Sequence, residues 1–503
     1  MPDNNLNELL ESLPEKKREY YLKRKETLLK RGITKEEIVL ELIKKEIDGK
    51  IGGEKRLPAG MYDKMNYMCR VYMDRTARMS LTYDFVPETE SLKNSLLCLF
   101  ECSAVMHSRF VDNHINPYWK VCDYNIDDIF ETREVENLKE SQYEFLKKPI
   151  SIDSHVQCFM ALYTKGDSSI LCFKFNHMVM DGVGCGQFIM DIIFNYERFI
   201  KEDYSNIDYR TGPRRYTRIY EDMPKEKAKK AKKQFANSSP REKHSLPYTP
   251  SSKDDRTLLI EKEIPAEIFE KARLKGKEQG ATANDVIAAA YIRAFYKIAK
   301  LDPKEKLHVS CAVDLRRYLK DINSIGYTNH TTFMLCSVDS MGETMDDTVK
   351  MARDSTNKAK TDEFLGLHGL PLLNIAYKTM VYAQAELVVK LFYNNANLAI
   401  SNVGTIAGRL YVMDGHAPLA AFGSGGAKRK PSGFTTTQSI GGRLNLIMAV
   451  IGNDEDEKMV IRFFDMIEEE MKEYIALKEG CNKTKVFCSL LFIFRSVQGF
   501  QLF

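Results

Sequence analysis

Residues 173–186 read FKFNHMVMDGVGCG. An apolar run ends at Asn176, His177 follows at once, and Asp181 and Gly182 stand four and five residues further on. A strand ending here brings His177 to its exit edge, where a loop can hold the ring in a cavity instead of the core. Gly182, Gly184 and Gly186 permit backbone conformations closed to other residues, and close approach by a ligand. Upstream, HVQCFMALYT and SSILCFKF are strand-like runs joined through KGD, which predicts a hairpin. Downstream, Phe188, Ile192, Ile193, Tyr196, Phe199 and Ile200 recur at helical spacing, which predicts a helix after Gly186.

The histidine is the residue of the stretch that titrates near neutral pH, as a general base must. Asp181 can tie the loop back to the fold through an arginine. A core histidine bonded to a turn aspartate would leave the same letters. A metal site is the other alternative, but no third and fourth ligand stand at helpful spacing, so no metal is expected.

The rest of the chain sets bounds. With 503 residues it is too long for one core, and two domains are expected. Hydrophobic residues make up 44% and charged residues 29%, which suits a packed protein. The net charge of +4 is small beside 74 basic and 70 acidic side chains, so no nucleic-acid partner is expected. Eleven cysteines without C-x-x-C spacing, Cys158 and Cys172 among them in apolar strands, predict reduced thiols and a cytoplasmic protein. The first residues lack a basic-then-apolar leader, and no apolar run reaches 18 residues, so neither a signal peptide nor a transmembrane segment is expected.

Texture divides the chain. Residues 1–60 read as a charged helical extension packed by one face, and 61–212 as a first α/β unit holding the histidine stretch. Residues 213–257 are rich in charge, Pro and Ser and read as a solvated linker or crossover, with phosphate binding as the alternative for its basic run. Residues 258–480 read as a second α/β unit. In it, GATANDVIAAAYIRAFYKIA is a helix with Thr282 as N-cap and Asp285 three residues on, and LHVSCAVDLRRY and NLAISNVG are strands. The tail 481–503 differs in texture and suits a peripheral anchor, a buried terminal strand or an out-of-frame end.

The stretch NHMVMDG resembles the His-x-x-x-Asp-Gly motif of the chloramphenicol-acetyltransferase-like superfamily. That group includes condensation domains, BAHD acyltransferases, wax-ester synthases and alcohol acetyltransferases. ECSAVMHSRFVDN, GATANDVIAAA, VSCAVDLRRYL with IGYTNH, and AISNVG resemble further segments of these proteins in the right order, across most of 61–470. Asn176 stands where many condensation domains carry a second histidine. The single tryptophan, Trp119, excludes an intact Asp-Phe-Gly-Trp-Gly segment, and SNVG lacks the proline usual in wax-ester synthases. The alcohol-acetyltransferase and wax-ester branches are thus the nearest.

The resemblance implies an α/β fold of two similar halves with an active-site tunnel between them. It implies an acyltransferase that moves an acyl group from a thioester to a hydroxyl or amine, with His177 as general base. The donor would be acyl-CoA as co-substrate, and the acceptor a small molecule. Alternatives are a stand-alone condensation enzyme using an acyl-carrier protein, and a degenerate member that only binds. Asp181 and Gly182 would be structural, with Arg316 as the partner of Asp181 and Arg317 as the fallback. Ser401 and Asn402, and less so Asn329, would donate to the oxyanion or bind substrate. Ser401 and Asn402 could equally satisfy backbone groups where their strand turns.

Overall fold

The computed structural model describes residues 6–205, 207–236, 240–393 and 395–497, with side chains of the last helix as far as Ala476. Period-2 apolar runs become strands and 3.6-period runs become helices, giving a mixed α/β fold with three sheets. A small sheet joins β1 (Arg56–Pro58), β4 (Tyr118–Val121) and β3 (Ser108–Val111). The first large sheet has the order β12 (Ala420–Ser424), β2 (Thr76–Tyr83), β7 (Ser168–Asn176), β6 (Cys158–Lys165), β5 (Phe130–Glu134). The second runs β10 (Thr331–Val338), β9 (Leu307–Asp314), β11 (Leu398–Thr405), β14 (Gly433–Ile440), β15 (Arg443–Gly452), β13 (Lys428–Arg429), with β8 (Arg256–Ile264) also on β15.

The expected hairpin is β6–β7, antiparallel from Cys158↔Phe175 to Lys165↔Ser168. Thr282 and Asp285 form a reciprocal capping box at the start of helix Ala283–Ala299. The helix after the histidine stretch spans Gly182–Phe199 and so takes in Gly182 to Gly186, ahead of the expected start, because Asp181 itself is the N-cap.

One core is centred on the first half and takes in Leu315, Tyr327, Leu367 and Ile440 from the second, another lies in the second half, and a third lies between the large sheets. That third core joins Phe145, Leu146, Tyr163, Ile170 and Cys172 to Leu259, Phe422, Ile447 and Ala449. The helices Leu6–Glu11, Glu15–Lys30 and Glu36–Ile47 pack by Leu28, Ile38, Val39, Leu42 and Ile43. Buried Glu101 accepts from Arg24, Arg31 and Tyr124, each at 2.6 Å, and so fixes the extension to helix Thr89–Cys102.

Three expectations are corrected. The segment 213–257 is not a solvated linker throughout: Tyr216, Ile219 and Tyr220 are buried, and Arg214 is clamped between both halves. Its lysines do stay outside, on helix Lys225–Ala231. The two halves also do not divide cleanly at 257, because β12, far along the chain, completes the first sheet by pairing Ala420↔Thr82 to Ser424↔Arg78. The tail does not form a strand. The last helix, Asp454–Val497, runs through 481–497, and 498–503 lie outside the described residues. Among the described residues no helix is long and apolar enough to cross a membrane.

Candidate active site

Strand β7 delivers the loop. Asn176, its last residue, donates from Nδ2 to Gln157 Oε1 at 2.6 Å and accepts at Oδ1 from the Met178 N–H at 3.0 Å. Its carbonyl accepts from the Val179 N–H at 2.8 Å, which closes a tight turn with His177 at the corner. The His177 N–H donates to the carbonyl of Arg75, the residue just before the neighbouring strand β2, at 2.7 Å. Asparagine at 176 is therefore a turn brace, a role that a second histidine would not fill in the same way.

Asp181 anchors the other end. Arg316 forms a bidentate pair with it, Nη1 to Oδ2 at 3.0 Å and Nη2 to Oδ1 at 2.9 Å, and both residues are buried. Asp181 also accepts from the His330 N–H at 2.7 Å, the Thr331 hydroxyl at 2.9 Å and the Gly184 N–H at 2.9 Å. Burial alone would raise its pKa. The Arg316 charge and these donors outweigh burial and hold the carboxyl well below the usual range. Arg317 plays no part in this pair and lies over the Tyr318 ring.

Between these anchors the loop is held by its own carbonyls. Asn329 Nδ2 donates to the His177 and Met178 carbonyls at 2.9 and 3.1 Å, and Arg214 Nη2 donates to the Val179 carbonyl at 3.0 Å. Arg214 Nε also donates to the Tyr327 carbonyl at 3.0 Å, so one guanidinium ties this loop to the segment leading into β10. Asn329 thus positions the histidine loop. In the sequence, Arg214 is hidden by the charged run around it.

His177 is surrounded by protein yet keeps accessible surface, as a residue lining an internal space does. Its Nδ1 is shut off from solvent and makes no hydrogen bond, which leaves Nε2 as the open nitrogen. Burial lowers its pKa from the ordinary 6.5, and contact with its own backbone and the Asp181 charge pull it back only in part. The ring is therefore neutral at neutral pH and competent to accept a proton.

Of the three glycines in the loop, none adopts a left-handed φ. Gly184 is needed for contact, since a Cβ there would meet Met180 Cβ at 2.9 Å and the Thr328 carbonyl at 3.2 Å. A Cβ at Gly182 would meet nothing within 4 Å, so open space remains beside the motif. Cys185 is fully buried, and burial pushes its thiol well above the ordinary value.

Asn402 is not brought to this loop. Its amide donates to Asn284 at the start of helix Ala283–Ala299, and its Oδ1 accepts from the Gly404 N–H at 2.8 Å. It shares a face of β11 with Leu398 and Ile400, which pack under the helices, and it lines an outer cavity of about 420 Å³ with Asn284 and Gly404. Ser401 points to the opposite face of β11 by strand alternation. A second outer cavity of about 450 Å³, between Tyr72, Ser252 and Lys430, also excludes His177.

No family model and no curated protein matches this chain by sequence. Solved structures do match in fold. One is the TRI3 trichothecene 15-O-acetyltransferase of Fusarium sporotrichioides, at 13% identity and a TM-score of 0.60, covering 84% of this chain and 97% of that one. The first condensation domain of the calcium-dependent antibiotic synthetase, in complex with a substrate analogue, matches at 13% identity and a TM-score of 0.61, with 84% and 97% covered. Polyketide synthase associated protein 5 of Mycobacterium tuberculosis matches at 12% identity and a TM-score of 0.57, with 83% and 98% covered. The chain shares the overall fold of these structures.

Proposed function

We propose that this protein transfers an acyl group from a thioester to a hydroxyl or amine acceptor, with His177 as general base. The observation that carries the reading is the loop from Asn176 to Asp181. A neutral histidine is held deep in the molecule with one nitrogen open, and the loop that carries it is fixed by the Asp181–Arg316 pair, by Asn329 and Arg214 on its carbonyls, and by Asn176 bonded to Gln157. So much bracing around a ring with an open nitrogen fits a positioned base better than a core residue.

In this reading Nε2 takes the proton of the acceptor as its oxygen or nitrogen attacks the thioester carbonyl. The tetrahedral adduct then expels the thiolate, which recovers the proton from His177. Positioning of the two substrates supplies part of the rate. Ser401 is the remaining candidate among the expected oxyanion donors. No acyl-enzyme is needed, and the buried, protonated Cys185 is a poor nucleophile. The donor is acyl-CoA and the acceptor a small molecule with a hydroxyl or amine. A carrier-protein thioester is the second reading, favoured by the condensation domains among the fold neighbours. The nine described cysteines, all free, accord with a cytoplasmic enzyme.

The test is thiol release and product mass spectrometry with acetyl-CoA and an acyl-carrier protein, each with a cell extract as source of acceptors. His177→Ala should cut turnover about 10²–10⁴-fold while its unfolding transition stays in place. Near-full turnover in this variant refutes the role of His177, and no consumption of either thioester favours a protein that only binds.

A further inference from the structure

Among the described residues, two cations beside the histidine loop have no acid partner. Lys428 sits on the two-residue strand β13, directly after a strap that joins the two large sheets. The strap is pinned to the residues before β2: the Asp74 N–H donates to the Ala427 carbonyl at 3.1 Å, and the Ala427 N–H donates to Asp74 Oδ1 at 3.0 Å. At Gly426 a Cβ would meet the Arg75 backbone nitrogen at 2.9 Å, so only glycine lets the strap lie this close. Residue 73 therefore faces residue 428, and Lys428 Nζ comes to rest 3.3 Å from Met73 Sδ and 5.4 Å from the Phe434 ring centre. Met73 is two residues from Arg75, whose carbonyl holds the His177 N–H.

Among the described residues no carboxylate pairs with Lys428. The nearby Asp74 is already taken by Arg78 at 2.5 Å and by the Thr76 and Ala427 N–H groups. Arg75 is alike: it is 5% exposed, holds a left-handed φ of 62°, and directs Nη1 at Met178 Sδ, with no described carboxylate in ion-pair reach. Burial lowers the pKa of both groups, and the Lys428 charge is felt at His177. A buried charge such as that of Arg75 is normally paired, whereas Lys428 is half-buried. Two unpaired cations around one loop give the site a positive potential that favours an anionic ligand.

We infer that the molecule acted on at His177 carries a carboxylate or phosphate, held by Lys428, with Arg75 adding to the positive field. The inference rests on the acyl-transfer reading for the words "acted on", and on the geometry for the anion. The phosphates of coenzyme A lie a full pantetheine arm from the thioester, so an anion this near His177 belongs to the acceptor or to the acyl group.

The experiment has two readouts. In the first, melting of the full chain is followed with benzoate, inorganic phosphate and the neutral control benzamide, in wild type, Lys428→Met and Lys428→Arg. Wild type and Lys428→Arg should be stabilised by an anion and not by benzamide, and Lys428→Met should not respond. Without ligand, Lys428→Met should melt close to wild type, since the half-buried charge has no carboxylate partner to lose. In the second, thiol release compares acetyl-CoA with succinyl-CoA, and hydroxy acids with their amides. One anionic member should be preferred about tenfold or more in kcat/KM, with that ratio lost in Lys428→Met; the pair that shows the preference identifies the source. Equal response to benzoate and benzamide, a preference that survives in Lys428→Met, or a fall of several degrees in its unliganded melting point overturns the inference. No thiol release in any arm, with anion-dependent melting intact, overturns the acyl-transfer reading alone.

Discussion

Removing either member of the Asp181–Arg316 pair should destabilise the protein, and removing both should cost less than the sum. The two residues are 135 apart in sequence and come from opposite halves, so the pair is a cross-brace as well as a loop anchor. Asp181→Ala leaves Arg316 with only Asp314 Oδ1 at 3.1 Å and the Thr328 carbonyl at 2.9 Å. It also removes the N-cap of helix Gly182–Phe199, by itself worth about 0.5–2 kcal/mol. Arg316→Ala leaves a buried carboxylate with three neutral donors. Each single change should therefore cost about 3–5 kcal/mol. In the double variant neither member of the pair is left without the other, though Asp314 loses Arg316, and the shortfall from additivity should be about 0.5–3 kcal/mol. The assay is urea unfolding followed by fluorescence of Trp119, the single tryptophan. It is buried in the first half and bonded from Nε1 to Asp63 at 2.9 Å, the same Asp63 that pairs with Arg214. Strictly additive losses, or a single variant with a wild-type midpoint, would refute the coupling.

Asn329→Ala removes both donors to the His177 and Met178 carbonyls, so turnover should fall while stability drops by about 1–3 kcal/mol; unchanged turnover would mean that the loop is held without it. Cys185→Ser should keep turnover within a few-fold, and intact-protein mass spectra should show no acyl adduct; an adduct that forms and decays at the catalytic rate would make the thiol a nucleophile. Burial, then the Arg316 charge, pushes His330 down to about 4 against the pull of Asp181. The unfolded chain protonates this residue near 6.5, so its contribution is complete above that pH and is lost on acidification, by roughly 2 kcal/mol at pH 5. His330→Leu should lose less stability than wild type between pH 7 and 5, and an equal loss would refute the assignment.

The parts of the site legible in the sequence are those that lie close together along the chain. His177, Asp181 and the helix after them occupy one short segment, and the strand and helix periods around them follow from which face is buried. Even so, the choice of Arg316 over Arg317 comes from the order of segments in a family, since nothing local says which guanidinium crosses between the halves. Register defeats the same approach at Asn402 and Asn329. The face of β11 that Asn402 occupies depends on the pleat and on the shift between Asn402 and Gly404, and Asn329 is read correctly only when the loop it holds is in place. Charge is the least legible of all. The run around Arg214 reads as solvated because most of its lysines are, yet the arginine that matters has main-chain carbonyls as partners, and those leave no trace in composition. Lys428 is the opposite case. It looks like one cation in a basic triplet, and its meaning comes from its surroundings among the described residues: Lys430 two residues on has both Asp255 and Asp456, while the half-buried Lys428 has no carboxylate. A fold that supplies two acids to one lysine and none to its neighbour leaves that neighbour's charge free for the anion inferred above, and the response of Lys428→Met to benzoate decides between that role and a merely solvated cation.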